Sequence, residues 1–234
     1  MANREEMLSR IRAALRRGDG KVTPLDRFPR SVSTTSPDQL RDQFTGELRK
    51  VGGNVEWIAD SRGIPGHIEA LLKAGGATRI AASDGVDAHA PGFREGLSAR
   101  EFQVVPSLRE FSSPPDSSET PAEAYKRVLI DVDAGVTTAD YAIADTGTLV
   151  LVSGDEQHRL ISLVPPLHIC ILKQSAILPN LAELMSRVGD GPYSKDTPPL
   201  VMTFITGPSR TADIELTLTM GVHGPRELHA VIHP

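Results

Sequence analysis

Three polar segments interrupt the apolar runs of this chain and are the places where chemistry could sit. The first is Gly135-Val136-Thr137-Thr138-Ala139-Asp140-Tyr141-Ala142-Ile143-Ala144-Asp145-Thr146-Gly147-Thr148. Asp145 breaks a run that otherwise reads as buried, and a carboxylate there costs free energy unless it is hydrogen-bonded or faces a cleft. Thr146 and Thr148 place two hydroxyls around Gly147, where a main chain can approach a ligand closely. The alternative is a bulged strand whose threonines satisfy the backbone. The second segment is Thr206-Gly207-Pro208-Ser209-Arg210-Thr211-Ala212-Asp213-Ile214-Glu215. It follows an expected strand and offers N–H groups, hydroxyls and a fixed cation, a combination suited to a carboxylate or phosphate. The alternative is an Arg210–Asp213 pair that braces a loop. The third is Gly221-Val222-His223-Gly224-Pro225, in which His223 is either a general acid or base or a turn residue bonded to a nearby carbonyl. Arg159 and His168 flank the Pro165-Pro166 turn. Arg159 is a candidate anion contact, whereas His168 enters an apolar strand and reads as structural.

Asp145 and His223 are thus the catalytic candidates. Thr146, Gly147, Thr148, Arg159, Gly207, Ser209, Arg210, Asp213 and Gly224 are the ligand-binding candidates. Together they predict an anion-accepting pocket near residues 145–148 and 207–213.

Other chemistries lack their residues. Cys170 is the sole cysteine and lies in the apolar run Leu167-His168-Ile169-Cys170-Ile171-Leu172, which reads as a buried structural thiol. An iron–sulfur cluster takes about four thiolates, so these residues do not hold one alone. There is no Walker A loop, no G-x-G-x-x-G after a strand, no H-E-x-x-H and no G-x-S-x-G elbow. The seven histidines show no tight metal spacing. His229 and His233 are four apart, but on a strand they stand well separated. The expectation is no metal and no bound cofactor.

The elements that position these segments alternate. Residues 3–17 read as an amphipathic helix, with Leu8, Ile11 and Leu15 on one face, and a polar Pro/Ser/Thr-rich linker follows. Ser36-Pro37 opens a second helix whose stripe is Leu40, Phe44, Leu48 and Val51. Strands are expected at 55–59, 78–82 and 102–105, with a helix at 64–74 between the first two. Helices alternating with short apolar strands predict an open, mainly parallel sheet with helices on both faces. Residues 106–121 read as a surface loop. The second half is richer in strand signal, at 128–132, 141–152, 159–164 and 168–172, with a hairpin connection at residues 154–157. A helix at 177–188 and closing strands at 200–206, 214–219 and 228–232 complete an antiparallel region. The expected division is residues 1–35 as helix and linker, and 36–234 as one α/β domain.

Charge narrows the partners. The net charge of −5 argues against nucleic acid, which requires a basic face. Residues 1–30 nevertheless carry eight Arg/Lys against four acids, and the remaining 204 carry 17 against 26. The basic start is either a docking surface or a solvated helix face. No apolar run reaches the roughly 18 residues of a membrane span. The N-terminus has no apolar signal region, so a cytoplasmic location is expected.

Two blocks resemble a known family. Ala142-Ile143-Ala144-Asp145-Thr146-Gly147-Thr148-Leu149-Val150-Leu151, with Arg159, Ser162-Leu163-Val164-Pro165 and His168-Ile169, resembles the central signature of the LUD domain. Ser209-Arg210-Thr211-Ala212-Asp213-Ile214-Glu215 and Gly221-Val222-His223-Gly224-Pro225 resemble its C-terminal signature. The likeness covers residues 36–232, is looser before residue 120, and points to the lactate-utilisation protein C group. Family members often carry Glu where Asp145 stands, which shortens the reach of this carboxylate. The resemblance implies a fold like that of ribose-phosphate isomerases and CoA transferases. It also implies a part in oxidising L-lactate to pyruvate beside iron–sulfur partner proteins, as a cluster-free complex subunit. A stand-alone enzyme or sensor for a small anionic ligand is the other reading. Catalysis and self-association are left open.

Overall fold

The structure, a computed structural model, describes residues 4–16, 35–100, 102–111, 119–153, 159–190, 201–212 and 218–234. The chain opens with α1 (Arg4–Arg16). α2 (Pro37–Lys50) starts at a capping box, in which Ser36 and Gln39 satisfy each other's main-chain N–H groups. Next come β1 (Asn54–Trp57), α3 (Ile64–Ala74), β2 (Arg79–Ala82), α4 (Val86–His89), α5 (Phe93–Ser98) and β3 (Gln103–Val105). α6 (Pro121–Ile130) repeats the capping box with Thr120 and Glu123. The second half holds β4 (Ala134–Thr138), β5 (Tyr141–Ile143), β6 (Thr148–Ser153), β7 (Leu167–Lys173), β8 (Ile177–Leu178), α7 (Leu181–Asp190), β9 (Val201–Ile205), β10 (Arg210–Ala212), β11 (Leu218–Met220) and β12 (Glu227–His233).

Six strands form a parallel sheet in the order β1-β12-β7-β4-β2-β3. A parallel strand covered on both faces reads as a continuous apolar run, and β7 and β12 are such runs. Side chains alternate between the faces. Ile169 and Ile171 of β7 and Val231 of β12 share a core with Ile64, Ile68, Leu72, Val86, Phe93 and Leu97, from α3, α4 and α5. Cys170, Leu172, Ala230 and Ile232 point the other way, to Phe44 and Leu48 of α2 and to Ala142, Leu149 and Leu151. Further along that second face, α6 buries Tyr125 and Leu129 against Ala81 and Val105.

β5, β6, β8 and β9 form a second, mixed sheet in the order β8-β5-β6-β9. One side of it joins the α2 core, and the other packs Ile143 and Val150 against Leu184 and Val188 of α7. The expected architecture, an open parallel sheet with helices on both faces and an antiparallel region in the second half, is the one observed.

Several elements differ from the sequence reading. Residues 128–132 are the end of α6 and its exit, not a strand. Residues 159–164 begin with a 3₁₀ turn, Arg159–Ser162, that packs Ile161 over β4. The hairpin connection expected at 154–157 lies outside the described residues; β6 pairs with β5 and β9. Residues 177–178 form a strand before α7 begins at Leu181. β4, at the centre of the large sheet, carried no strand reading of its own. Residues 112–118, 154–158, 191–200 and 213–217, and with them Asp213, parts of two expected loops and most of one expected strand, lie outside the described residues.

Candidate functional site

The signature segments converge on the C-terminal end of α2. At Gly147 φ is +61°, and a Cβ there would stand 2.3 Å from the Leu48 main-chain nitrogen, so the β5–β6 turn lies directly on α2. The Thr146 hydroxyl is 2.8 Å from that of Thr148, which is 2.7 Å from that of Thr206 at the end of β9. Gly207 has φ +94° and packs on Val51, and the Arg210 guanidinium donates to the Val51 carbonyl at 2.5 Å. The Ser209 N–H donates to the Pro225 carbonyl, and the Ser209 carbonyl accepts from the Gly221 N–H. Gly224 sits against the Ser209 side chain. Asp145, Thr146, Arg210 and His223 are exposed at the rim of this cluster.

The cluster occupies the amino edge of the parallel sheet. The Arg226 and Glu227 N–H groups meet the Pro166 carbonyl where β7 and β12 begin, and Arg49 of α2 reaches the Val55 carbonyl of β1. The sequence reading put the 206–213 turn beyond a strand's carboxyl end. That is true of β9 itself, but β9 belongs to the second sheet. A helix C-terminus carries partial negative charge, so Arg210 first serves as its counter-charge. Arg159 is exposed; its carbonyl accepts from the Ser162 hydroxyl, and it makes no ion pair among the described residues.

His168 is fully buried, with Nε2 2.8 Å from the Thr137 hydroxyl. Burial pushes it down to about 3, so it is a neutral structural imidazole. Cys170 is buried, and burial raises its thiol to about 12, far from nucleophilic.

The opposite, carboxyl edge is where open α/β sheets take ligands, at the point where strand order reverses. Here that point lies between β2 and β4, since the chain leaves β2 for β3 on one side and leaves β4 for β7 on the other. Ser83-Asp84-Gly85 leaves β2, and a Cβ on Gly85 would meet the Thr138 hydroxyl at 2.9 Å. Ser83 is 1% exposed, and its hydroxyl has no partner among the described residues. Arg94 donates to the Ala82 carbonyl at 2.9 Å and to Asp84 at 2.6 Å. A cleft of about 770 Å³ opens beside it, lined by Asp87, Arg94, Glu95 and Glu110 among others. His89 and His233 meet on the same edge, Nδ1 to Nε2 at 2.8 Å. None of these was singled out from sequence as a ligand group, although Ser-Asp-Gly directly after a strand was a usable signal.

With the geometry in place, comparison with known proteins is decisive for the family. The model of the LUD domain matches residues 41–233. The chain belongs to the LUD domain family. A Halalkalibacterium halodurans protein named lactate utilization protein C is 41% identical over 93 residues, 40% of each chain. An Exiguobacterium protein of the same name is 37% identical over 123 residues, 50% of this chain and 51% of that one. The matched stretches thus span about half or less of these curated relatives. The crystal structure of a DUF162 family protein from Deinococcus radiodurans superposes with a TM-score of 0.59 over 86% of this chain and 99% of that one. At 22% identity it speaks for the fold alone. Among the described residues of this LUD-domain chain, no helix is long and apolar enough to cross a membrane.

Proposed function

We propose that this LUD-domain chain is a component of L-lactate utilisation that acts in the cytoplasm with iron–sulfur partner proteins and carries no redox cofactor itself. The observation that carries the reading is family membership through residues 41–233, together with relatives named lactate utilization protein C. The thiol inventory supports the division of labour. The sequence has one cysteine, and it is buried in the sheet, whereas a cluster takes about four thiolates. Residues 36–234 are read as the LUD-type domain. Residues 1–35, with the basic α1, are an appendage available for docking. Deletion of the gene tests the reading. Growth on L-lactate as sole carbon source is expected to fail and to return on complementation, and tagged protein is expected to co-purify iron–sulfur proteins. Undiminished growth on lactate rejects it.

A second reading rests on the convergence of residues 145–148, 207–210 and 221–224. The rim they form exposes a hydroxyl, Thr146, and a guanidinium with donors beyond the one given to Val51. Such a rim suits a small carboxylate, phosphate or acyl group, as a sensor or an enzyme would require, with Asp145 or His223 as the candidate catalytic group. Loss of binding of acetate or inorganic phosphate in Arg210→Ala and Thr146→Val variants, with the fold intact, supports it; unchanged binding removes it.

A further inference from the structure

Where β1 meets β12, one imidazole stands between two carboxylates. β1 is the outermost strand of the parallel sheet and, among the described residues, pairs with β12 alone. His229 of β12 lies in register with Asn54, the first residue of β1, and is buried. Its Nδ1 is 2.9 Å from a carboxylate oxygen of Glu56 on β1, and its Nε2 is 2.7 Å from one of Glu227 on β12. An ionised carboxylate only accepts, so each contact needs its own hydrogen. A neutral imidazole supplies one, and the two contacts take two. The clamp therefore closes with one proton more than a neutral ring and two carboxylates hold between them. Imidazole is ordinarily more basic than a carboxylate, so the ring keeps that proton. The Asn54 amide nitrogen is placed 3.3 Å from Nε2. A half-turn exchanges the oxygen and nitrogen of a primary amide, so Asn54 accepts from a protonated Nε2 and donates to a bare one.

The groups around the clamp are few. β7 sets Leu167 and Ile169 in register with Glu227 and His229. α3 covers this face with Ile64, Ile68 and Leu72. His67 lies on the same side of that helix, and its Nε2 is buried without a partner among the described residues. His233 stands on this face at the far end of β12, and Arg49 of α2 is turned to the Val55 carbonyl. The charges that act on the His229 ring are those of Glu56 and Glu227. Burial disfavours its proton, and the two carboxylates outweigh that and raise its affinity.

The clamp joins two strand starts that also support the signature cluster. Residues 51–53 run from α2 into Asn54, and Val51 holds Arg210 through its carbonyl. Residues 224–226 run into Glu227, and Gly224 lies against Ser209.

We propose that His229 is a proton latch: its doubly protonated ring fastens the edge strand β1 to β12, and loss of one proton at alkaline pH loosens that strand. Only its bearing on the Arg210 rim touches the second functional reading; the latch itself rests on neither reading. Native-state hydrogen exchange of the full chain, from about pH 7 to about pH 9, tests it together with ring ¹⁵N shifts and a Glu227→Gln variant. The wild-type His229 ring should show two protonated nitrogens at about pH 7. After correction for intrinsic exchange, opening of the β1 amides should rise by up to about tenfold per pH unit once the ring titrates, the worth of one proton. Glu227→Gln keeps the contact without the extra proton, because its amide donates to a bare Nε2. The side chain of Glu227 is 52% exposed, so the variant should fold, and its β1 opening should be flat with pH. A bare ring nitrogen on wild-type His229 at about pH 7 overturns the proposal. So does wild-type β1 opening that ignores pH, or an equal pH dependence in Glu227→Gln. No arm uses lactate or an added anion, so the latch and the functional readings fail separately.

Discussion

Arg210 donates to the main-chain carbonyl of Val51, tying the turn after β9 to the end of α2. The bond joins residues 159 positions apart, and it places a cation where the helix leaves its carbonyls unmet. Arg210→Ala should lower stability by about 1 kcal/mol, the net worth of a typical intramolecular hydrogen bond, since the guanidinium is exposed. Arg210→Lys should recover part of it. Urea unfolding midpoints measure both, and a silent alanine variant would show that the contact does not hold α2.

Gly147 and Gly76 make a controlled pair. Both have positive φ, +61° and +67°, but a Cβ on Gly147 would strike the α2 backbone while one on Gly76 meets nothing within 4 Å among the described residues. Gly76→Ala should cost about 1 kcal/mol, for conformation alone. Gly147→Ala adds overpacking and should cost roughly 2–4 kcal/mol. Equal losses in thermal or urea unfolding would mean that the β5–β6 turn is free to move off α2.

His168 makes a pH prediction. Unfolded, it takes a proton near the ordinary value of 6.5; folded, burial delays that to about 3. Its contribution to stability is whole above pH 6.5 and is lost as pH falls towards 3, at about 1.4 kcal/mol per pH unit for one proton. His89 and His233 act in the same direction. His229 acts oppositely. Burial pulls it down, but the carboxylates of Glu56 and Glu227, at 2.9 and 2.7 Å, outweigh that and raise it. Its contribution is whole below 6.5 and is lost as pH rises through the raised value. Stability followed from pH 7 to pH 4.5 should fall, and His168→Gln should make the fall shallower by close to one proton. An unchanged slope would place His168 in contact with water.

Cys170 should resist thiol reagents in the native protein, because it is fully buried and its thiolate is suppressed. Labelling should follow global unfolding and accelerate with urea in step with the unfolded population. Rapid stoichiometric labelling in buffer would contradict the packing of β7.

The elements most legible in the sequence were those with local signals. The Ser36 cap and the helical spacing of Leu40, Phe44 and Leu48 mark α2 by contacts within a few residues, whereas α6 was missed because its apolar tail read as strand, although the Thr120–Glu123 capping box was a usable local signal. The apolar runs of β7 and β12 announce strands covered on both sides. β4 was missed because Gly135 dilutes its apolar signal. That glycine is required by a distant partner, since a Cβ there would stand 1.9 Å from the Ile161 carbonyl. α4 and α5 are too short to show a helical period. The signature residues were found by their types and order, but that they meet at the end of α2 was not read from the sequence. Their position at the amino edge was not foreseen, because the direction of β9 is decided by pairing with β6, far from it in the chain.

Residue order alone determined the family, the alternation of helices and strands, and the neutrality of a cysteine and a histidine placed inside an apolar run, since each follows from local pattern or composition. Tertiary structure decided which edge of the sheet each polar segment reaches. It gave Arg210 its first duty as a helix-end counter-charge and set His89 against His233 across 144 positions of chain. Strand direction and register arise from pairings between segments distant in sequence, and a one-dimensional pattern carries the propensity to pair but not the partner.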